Sequence, residues 1–241
     1  MQFKRWIKYL FLLVLMGVLG FLYSFTTVRN SNRKVTDIQV KFIEGNNNFL
    51  THDMVDKLLI QNEETVRNQA KSKLDLYKLE KKVIENPYVE ESAVFLTIDG
   101  ALKTTVKQRT PIARILAEND TYYIDKYGVK IPLSNNFSAR VLLVTALKNN
   151  KEIKLVLPLI SKIINDEFLK KEIVGIEKSS EGNYRFAVRS GNYKIEFGKL
   201  EELEVKFKKL KAFYNTTFKD KKIQEYKLIN VKYHNQVVCT K

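Results

Sequence analysis

The sequence predicts an α+β protein carried on a single N-terminal transmembrane helix. Three observations lead there. An uncharged run from Tyr9 through Val28 is long enough to cross a bilayer. Behind it, strand, helix, helix, strand and strand patterns follow one another within about 75 residues, a compact β-α-α-β-β unit. The remainder mixes short strand-like segments with amphipathic helical ones, as a mixed β-sheet with packed helices does.

The anchor comes first. Its 20 uncharged residues span roughly 30 Å as a helix, the thickness of the hydrocarbon core. A helix buried in a soluble core would alternate with polar positions. A cleaved signal peptide also places basic residues before an apolar run. This run is long for one, and "YSFTTVRN" offers no small-residue cleavage site. Flanking charge leaves orientation open, with Lys4, Arg5 and Lys8 on one side and Arg29, Arg33 and Lys34 on the other. The polar, basic "VRNSNRK" reads as a juxtamembrane linker, giving a tail at 1–8, a membrane helix at 9–28 and a linker at 29–35.

The β-α-α-β-β unit follows at 36–109. In "DIQVKFIEGNNNFL", Ile38, Val40 and Phe42 alternate ahead of a Gly-Asn turn. Thr51 is placed as an N-cap, with Leu50 and Val55 forming a hydrophobic staple. The helix it opens buries Met54, Val55, Leu58 and Leu59. "QNEETVRNQAKSK" reads as a longer connection. A second helix presents Leu76, Leu79, Val83 and Ile84 as its apolar stripe and ends before Pro87. Two strands then flank Asp99-Gly100, a strong hairpin signal.

The second region, 110–241, opens with short strands separated by turns at "END" and "KYG". "LVLPLISKIIND" reads as helix, and "NYRFAVRSGNYKIEFG" as a hairpin turning at Gly191 and Asn192. Leu200, Leu203, Phe207, Leu210 and Phe213 recur at helical spacing, with lysines on the opposite face. The final "INVKYHNQVVCTK" alternates as one strand. Ile229, Val231, Tyr233, Val237 and Cys239 face the core, while Lys232, His234, Gln236 and Thr240 face out.

Composition narrows the chemistry. The chain is globular in character, 44% hydrophobic and 11% aromatic. Its net charge of +15 raises the question of nucleic acid or another polyanion. The bases are dispersed, however: "KFKKLK" and "KDKKI" read as the wet face of a helix and a loop, and no nucleic-acid partner is expected. One cysteine excludes an internal disulfide, and two histidines argue against a metal site. Nucleophile-elbow, S-x-x-K and phosphate-loop patterns are absent. His52 and His234 read as exposed polar residues, and Asp99 and Asp125 as turn formers. No catalytic residue, metal or cofactor is expected.

Four stretches, in order behind the anchor, resemble the FtsQ/DivIB bacterial cell-division proteins. "NPYVEESAV" (86–94) is similar to the family's Pro-aromatic-Val entry into a strand, and "VKQRTPIARI" (106–115) to its Glu-Arg-x-Pro-x-Ala junction. "YYIDKYGVKIPL" (122–133) resembles its Ile-Asp-x-x-Gly strand pair, and "INVKYHNQVV" (229–238) its closing basic-Tyr strand. Three departures stand out. Gln108 replaces the junction glutamate, the Leu-Pro expected near "SARVLLVTAL" is missing, and Lys241 replaces a frequent aromatic.

The resemblance implies a POTRA-like first domain and a β domain behind it. It also implies a non-enzymatic scaffold of the division complex at the septum, with its N-terminus cytoplasmic and its bulk periplasmic or extracytoplasmic. The implied partners are small single-pass coiled-coil proteins (FtsB-like and FtsL-like) and other divisome membrane proteins. The terminal strand is then the candidate partner-binding edge, with Lys232, Tyr233, Asn235, Gln236, Val237, Val238 and Thr240 as its residues. A membrane-anchored POTRA-type assembly protein and a wall-polymer or polyanion binder are the alternatives.

Overall fold

The computed structural model describes residues 2–43, 49–59, 69–118, 120–219, 223–234 and 236–241. They divide into two compact units, Met1–Gln108 and Arg109–Lys241.

The first unit begins with α1 (Gln2–Ser31). Its stretch Trp6–Ser31 has a mean hydropathy of 2.1 and is wholly unburied. Among the described residues it is the one helix long and apolar enough to cross a membrane. Then come β1 (Ile38–Phe42), α2 (His52–Leu58), a 3-10 turn (Lys71–Lys73), α3 (Leu76–Ile84), β2 (Val89–Leu96) and β3 (Leu102–Gln108). The sheet order is β1-β3-β2. β3 runs parallel to β1 and antiparallel to β2.

Local chemistry sets these elements. The Thr51 hydroxyl accepts the Met54 N–H at 3.3 Å and Asp75 accepts that of Lys78 at 2.9 Å, capping α2 and α3. Leu50 and Val55 are both buried, as the staple requires, and Leu59, Leu79 and Val83 join them in one core. Gly100, at φ +98°, closes the β2–β3 turn. A Cβ there would stand 3.2 Å from the Lys34 carbonyl oxygen. The stripe of α3 is narrower than expected: Ile84 is 39% exposed and lies outside the core. It is one residue past Val83, a 100° step that carries it off the buried face. The Gly-Asn turn at 45–46 and residues 60–68 of the long connection lie outside the described residues.

The second unit is one mixed sheet, nine-stranded among the described residues. Its strands are β4 (Ala113–Leu116), β5 (Thr121–Ile124), β6 (Lys130–Pro132), β7 (Leu142–Thr145), β8 (Ile173–Lys178), β9 (Tyr184–Val188), β10 (Lys194–Gly198), β11 (Leu228–Asn230) and β12 (Val238–Thr240). They stand in the order β12-β11-β10-β9-β8-β7-β4-β5-β6. Helices α4 (Asn150–Ile164) and α5 (Glu167–Glu172) link the parallel pair β7 and β8, and α6 (Leu203–Lys219) links the parallel pair β10 and β11. Both crossovers step the same way across the sheet from strands of the same direction. Right-handed connection therefore puts all three helices on one face. Ile153, Val156, Leu159, Ile160, Ile163, Phe207, Leu210 and Tyr214 bury that face. Lys162–Glu204 and Lys211–Asp166 pairs tie α6 to its neighbours.

Two motifs recognised separately in the sequence meet here. Arg109 of the junction donates from Nη1 to Asp125 Oδ2 at 2.7 Å, while Asp125 Oδ1 accepts the N–H groups of Tyr127 and Val129. Asp125 is therefore a turn former, as its place before Gly128 suggests, and also half of an ion pair in which its side chain is 2% exposed.

Two expectations for this unit need correction. The lysines of α6 do not all face water. Lys206 is 5% exposed, its ammonium bonding the Lys199 carbonyl oxygen at 2.7 Å over the Phe197 ring. Burial lowers its pKa. Nor is the terminal stretch one strand. β11 and β12 pair antiparallel, with Ile229 opposite Cys239, so the chain reverses between them. β10 matches β11 over three residues only. A continuous strand would carry residues 231–241 on for roughly 36 Å past that pairing. Tyr233 accordingly sits in the reversal, 44% exposed, and not in the core.

Candidate partner-binding edge

β12 is the last strand of the sheet, with β11 its one strand neighbour among the described residues. Val231 N–H bonds the Glu196 carbonyl and Lys194 N–H bonds that of Lys227, so the Val231 amide and the Lys227 carbonyl face β10, while the Lys227 N–H turns the other way and bonds the Thr240 carbonyl at 2.8 Å. Alternation then turns Leu228 and Asn230 toward β12. In the antiparallel register it leaves the Cys239 N–H and C=O facing away from β11. The Cys239 side chain packs against the core, and burial pushes its thiol pKa up. Val238 and Thr240 are exposed on the same strand, and Val237 is half-buried against the core.

The reversal before β12 is held from three sides. Asn230 Oδ1 accepts the Lys232 N–H at 3.1 Å, starting the turn. The Lys209 ammonium, reaching from α6, donates to the Val231 carbonyl at 3.1 Å and also to that of Tyr233. His234 Nδ1 lies 3.1 Å from Glu202 Oε2. Beneath the turn, Gly198 ends β10 at φ +77°, and a Cβ there would be 2.8 Å from the Lys232 Cβ. Only a glycine lets the turn come this close.

The structure thus gathers the sequence-predicted residues into two adjoining groups. Lys232 and Tyr233 are exposed on the turn, with the ammonium 5.4 Å from the ring centroid. Val238 and Thr240 lie on the edge strand, and Gln236 and Val237 lead into it. Asn235 lies outside the described residues. Lys241, where the resemblance points to an aromatic, pairs with Glu225, which raises the lysine pKa. Sequence reading missed the supports Gly198, Glu202 and Lys209. A glycine directly after the alternating "YKIEF" was the one signal available for them.

A family model described as FtsQ/DivIB, C-terminal related, matches residues 110–240. The chain belongs to the FtsQ/DivIB family. No curated protein matches it. Membership makes it a division protein, one of a family of non-enzymatic scaffolds that work in a complex with other division proteins. With its apolar N-terminal helix, it is a single-pass membrane protein of that process.

Proposed function

We propose that this protein holds FtsB-like and FtsL-like coiled-coil partners at the division septum by adding a partner strand to β12. In this reading residues 1–8 are the cytoplasmic tail, 9–28 cross the membrane and 29–35 are the linker. A POTRA domain at 36–109 and the β domain at 110–241 stand outside the cytoplasm. The observation that carries the reading is the placement of β12 at the sheet edge, beside an exposed Lys232 and Tyr233.

Backbone pairing cannot do this alone. A short edge strand offers about 2–4 hydrogen bonds at ~0.5–1.5 kcal/mol each, whereas micromolar affinity requires about 8 kcal/mol. Side chains supply the difference. Tyr233 offers apolar area, and Lys232, which makes no ion pair among the described residues, offers a cation for a partner carboxylate.

The test is capture of division proteins from membranes by the tagged full chain. Cys239→Pro removes an amide proton that faces away from β11, so the internal ladder survives while strand addition is blocked. Capture is expected to fall at least tenfold, with melting changed by only a few degrees. Undiminished capture by a folded Cys239→Pro chain would refute strand addition. Lys232→Glu is expected to weaken capture without altering melting.

A further inference from the structure

The chain leaves α1 under close hold. α1 runs to Ser31, and two residues on the Lys71 N–H bonds the Arg33 carbonyl at 2.9 Å. The Val35 N–H bonds the Gln69 carbonyl at 2.9 Å, and Val35 itself is wholly buried in the core of the first unit. The Thr36 N–H then bonds the Gly100 carbonyl at 3.0 Å, which brings in the β2–β3 turn. The Lys71 ammonium closes the set, donating to the Thr97 and Ile98 carbonyls at 3.4 and 3.3 Å. Segments 33–36, 69–73 and 97–100 therefore meet at one end of this unit.

That end carries positive charge without counter-charge. Arg29, Arg33, Lys34 and Lys73 are exposed and Lys71 is half-buried, and none of them meets a carboxylate among the described residues. Of the carboxylates close in sequence, Asp75 caps α3 and Asp37 accepts from Gln39 at 3.3 Å, while Asp99 sits on the turn itself. Ile98, at the tip of that turn, is 89% exposed. A lone exposed isoleucine is ordinary; its place beside these cations is not.

Distance sets the end against lipid. With 9–28 crossing the hydrocarbon, Ser31 stands about 4.5 Å past the boundary, within a headgroup layer about 5–8 Å deep. The unit is hydrogen-bonded to the chain from Arg33 onward, so it cannot stand off from that layer. Arg29, Arg33 and Lys34 match in number the Lys4, Arg5 and Lys8 of the entry side. A cytoplasmic N-terminus accounts for the entry set alone.

We infer that this end of the first unit is a docking surface for anionic phospholipid headgroups. Arg29, Arg33, Lys34, Lys71 and Lys73 meet the phosphates, and Ile98 enters the boundary between headgroups and acyl chains. Basic side chains beside an apolar one hold a protein on an anionic interface. Because backbone bonds tie the unit to α1, helix tilt decides how closely the turns approach the lipid. Anionic lipid selects the tilt that presses them down, and so sets how the first unit is presented above the membrane. The inference rests on residues 9–28 crossing the bilayer and on nothing at the β12 edge.

The probe is a fluorophore on Ser72→Cys, exposed between Lys71 and Lys73, in a full chain that also carries Cys239→Ala. The chain is reconstituted in nanodiscs containing phosphatidylcholine spin-labelled on its headgroup. Quenching is expected to be about threefold stronger or more with phosphatidylglycerol present than in phosphatidylcholine alone, and to fall back as salt screens the charges. In the anionic discs, Arg33→Glu with Lys73→Glu should weaken it about threefold or more and Ile98→Asp about twofold, with the urea midpoint unchanged. Equal quenching in the two kinds of disc overturns the inference, as does quenching indifferent to the Arg33 and Lys73 reversals. A chain that does not co-elute with the discs overturns the membrane-crossing helix as well, so the two failures are distinct.

Discussion

Gln108 shows how one side chain can hold a loop that lies far away in sequence. It is 4% exposed at the end of β3. Its Oε1 accepts the N–H groups of Phe49 and Leu50 at 3.1 Å each, and its Nε2 donates to the Leu50 carbonyl at 3.3 Å. A glutamate, which the family resemblance places here, could accept both amides but could donate nothing to the carbonyl. Gln108→Leu leaves two buried amides without an acceptor, at ~1–3 kcal/mol each. Chemical unfolding of the full chain should therefore show a loss of about 2–6 kcal/mol, with Gln108→Glu losing less. The residue was legible as a departure, because the motif around it is short and local. Its role was not, since its partners lie 58 and 59 residues earlier in the chain. Asp125 divides the same way. The turn it forms follows from Gly128 three residues on, whereas Arg109 comes from a different motif.

At the scale of elements, the C-terminal hairpin teaches what alternation conceals. The inward positions Ile229 and Val231 precede the reversal and Val237 and Cys239 follow it. The inward positions on the two sides of the reversal lie an even number of positions apart, which keeps the parity, so the pattern reads as one strand through the turn. Strands β7 and β8 escaped notice for a related reason. "LLVT" and "IVGIEK" are short apolar runs in mid-sheet, and periodicity does not separate such runs from buried helix. The features that force the reversal are Gly198 and Lys209, each on another element. Gly198→Ala puts a Cβ 2.8 Å from that of Lys232 at a φ of +77°, a strain of about 1–3 kcal/mol. Amide exchange should speed up in residues 231–234 and 236–240 while β4 and β7 stay protected, and partner capture should fall with it. If the Gly198→Ala chain exchanged like the wild type, the turn would not depend on this close approach. Lys209→Met should loosen the same amides more mildly, since the Asn230 and Gly198 contacts remain.

For the molecule as a whole, the second unit sets how stability responds to pH. On the acid side, the Lys130 ammonium bonded to Asp120 holds that carboxyl below its ordinary value of 3.8. Lys178, with the Lys148 amide, does the same for Glu152 below 4.5. Burial opposes the shift at Asp166, but Lys211 and the Leu169 and Phe168 amides outweigh it, and that pKa is also lowered. A carboxylate with a lowered folded pKa contributes stability above its unfolded value and loses it as pH falls through the folded one. On the basic side, burial pushes Tyr193 up to about 12 and also raises Tyr214 and Tyr184 from 10. Tyr193 and Tyr214 donate to Glu172 and cannot do so once ionised. Their contribution is complete below the unfolded value of 10 and is lost as pH climbs beyond it. The stability of this unit, followed by urea unfolding with circular dichroism, should therefore be level from about pH 5 to 9. It should decline below about 4 and above about 10. Lys130→Met should shrink the acid decline without touching the basic one, and Tyr193→Phe should do the reverse. A single Lys130→Met change that altered both limbs equally would show that the two groups of residues are not acting as separate titrating sets.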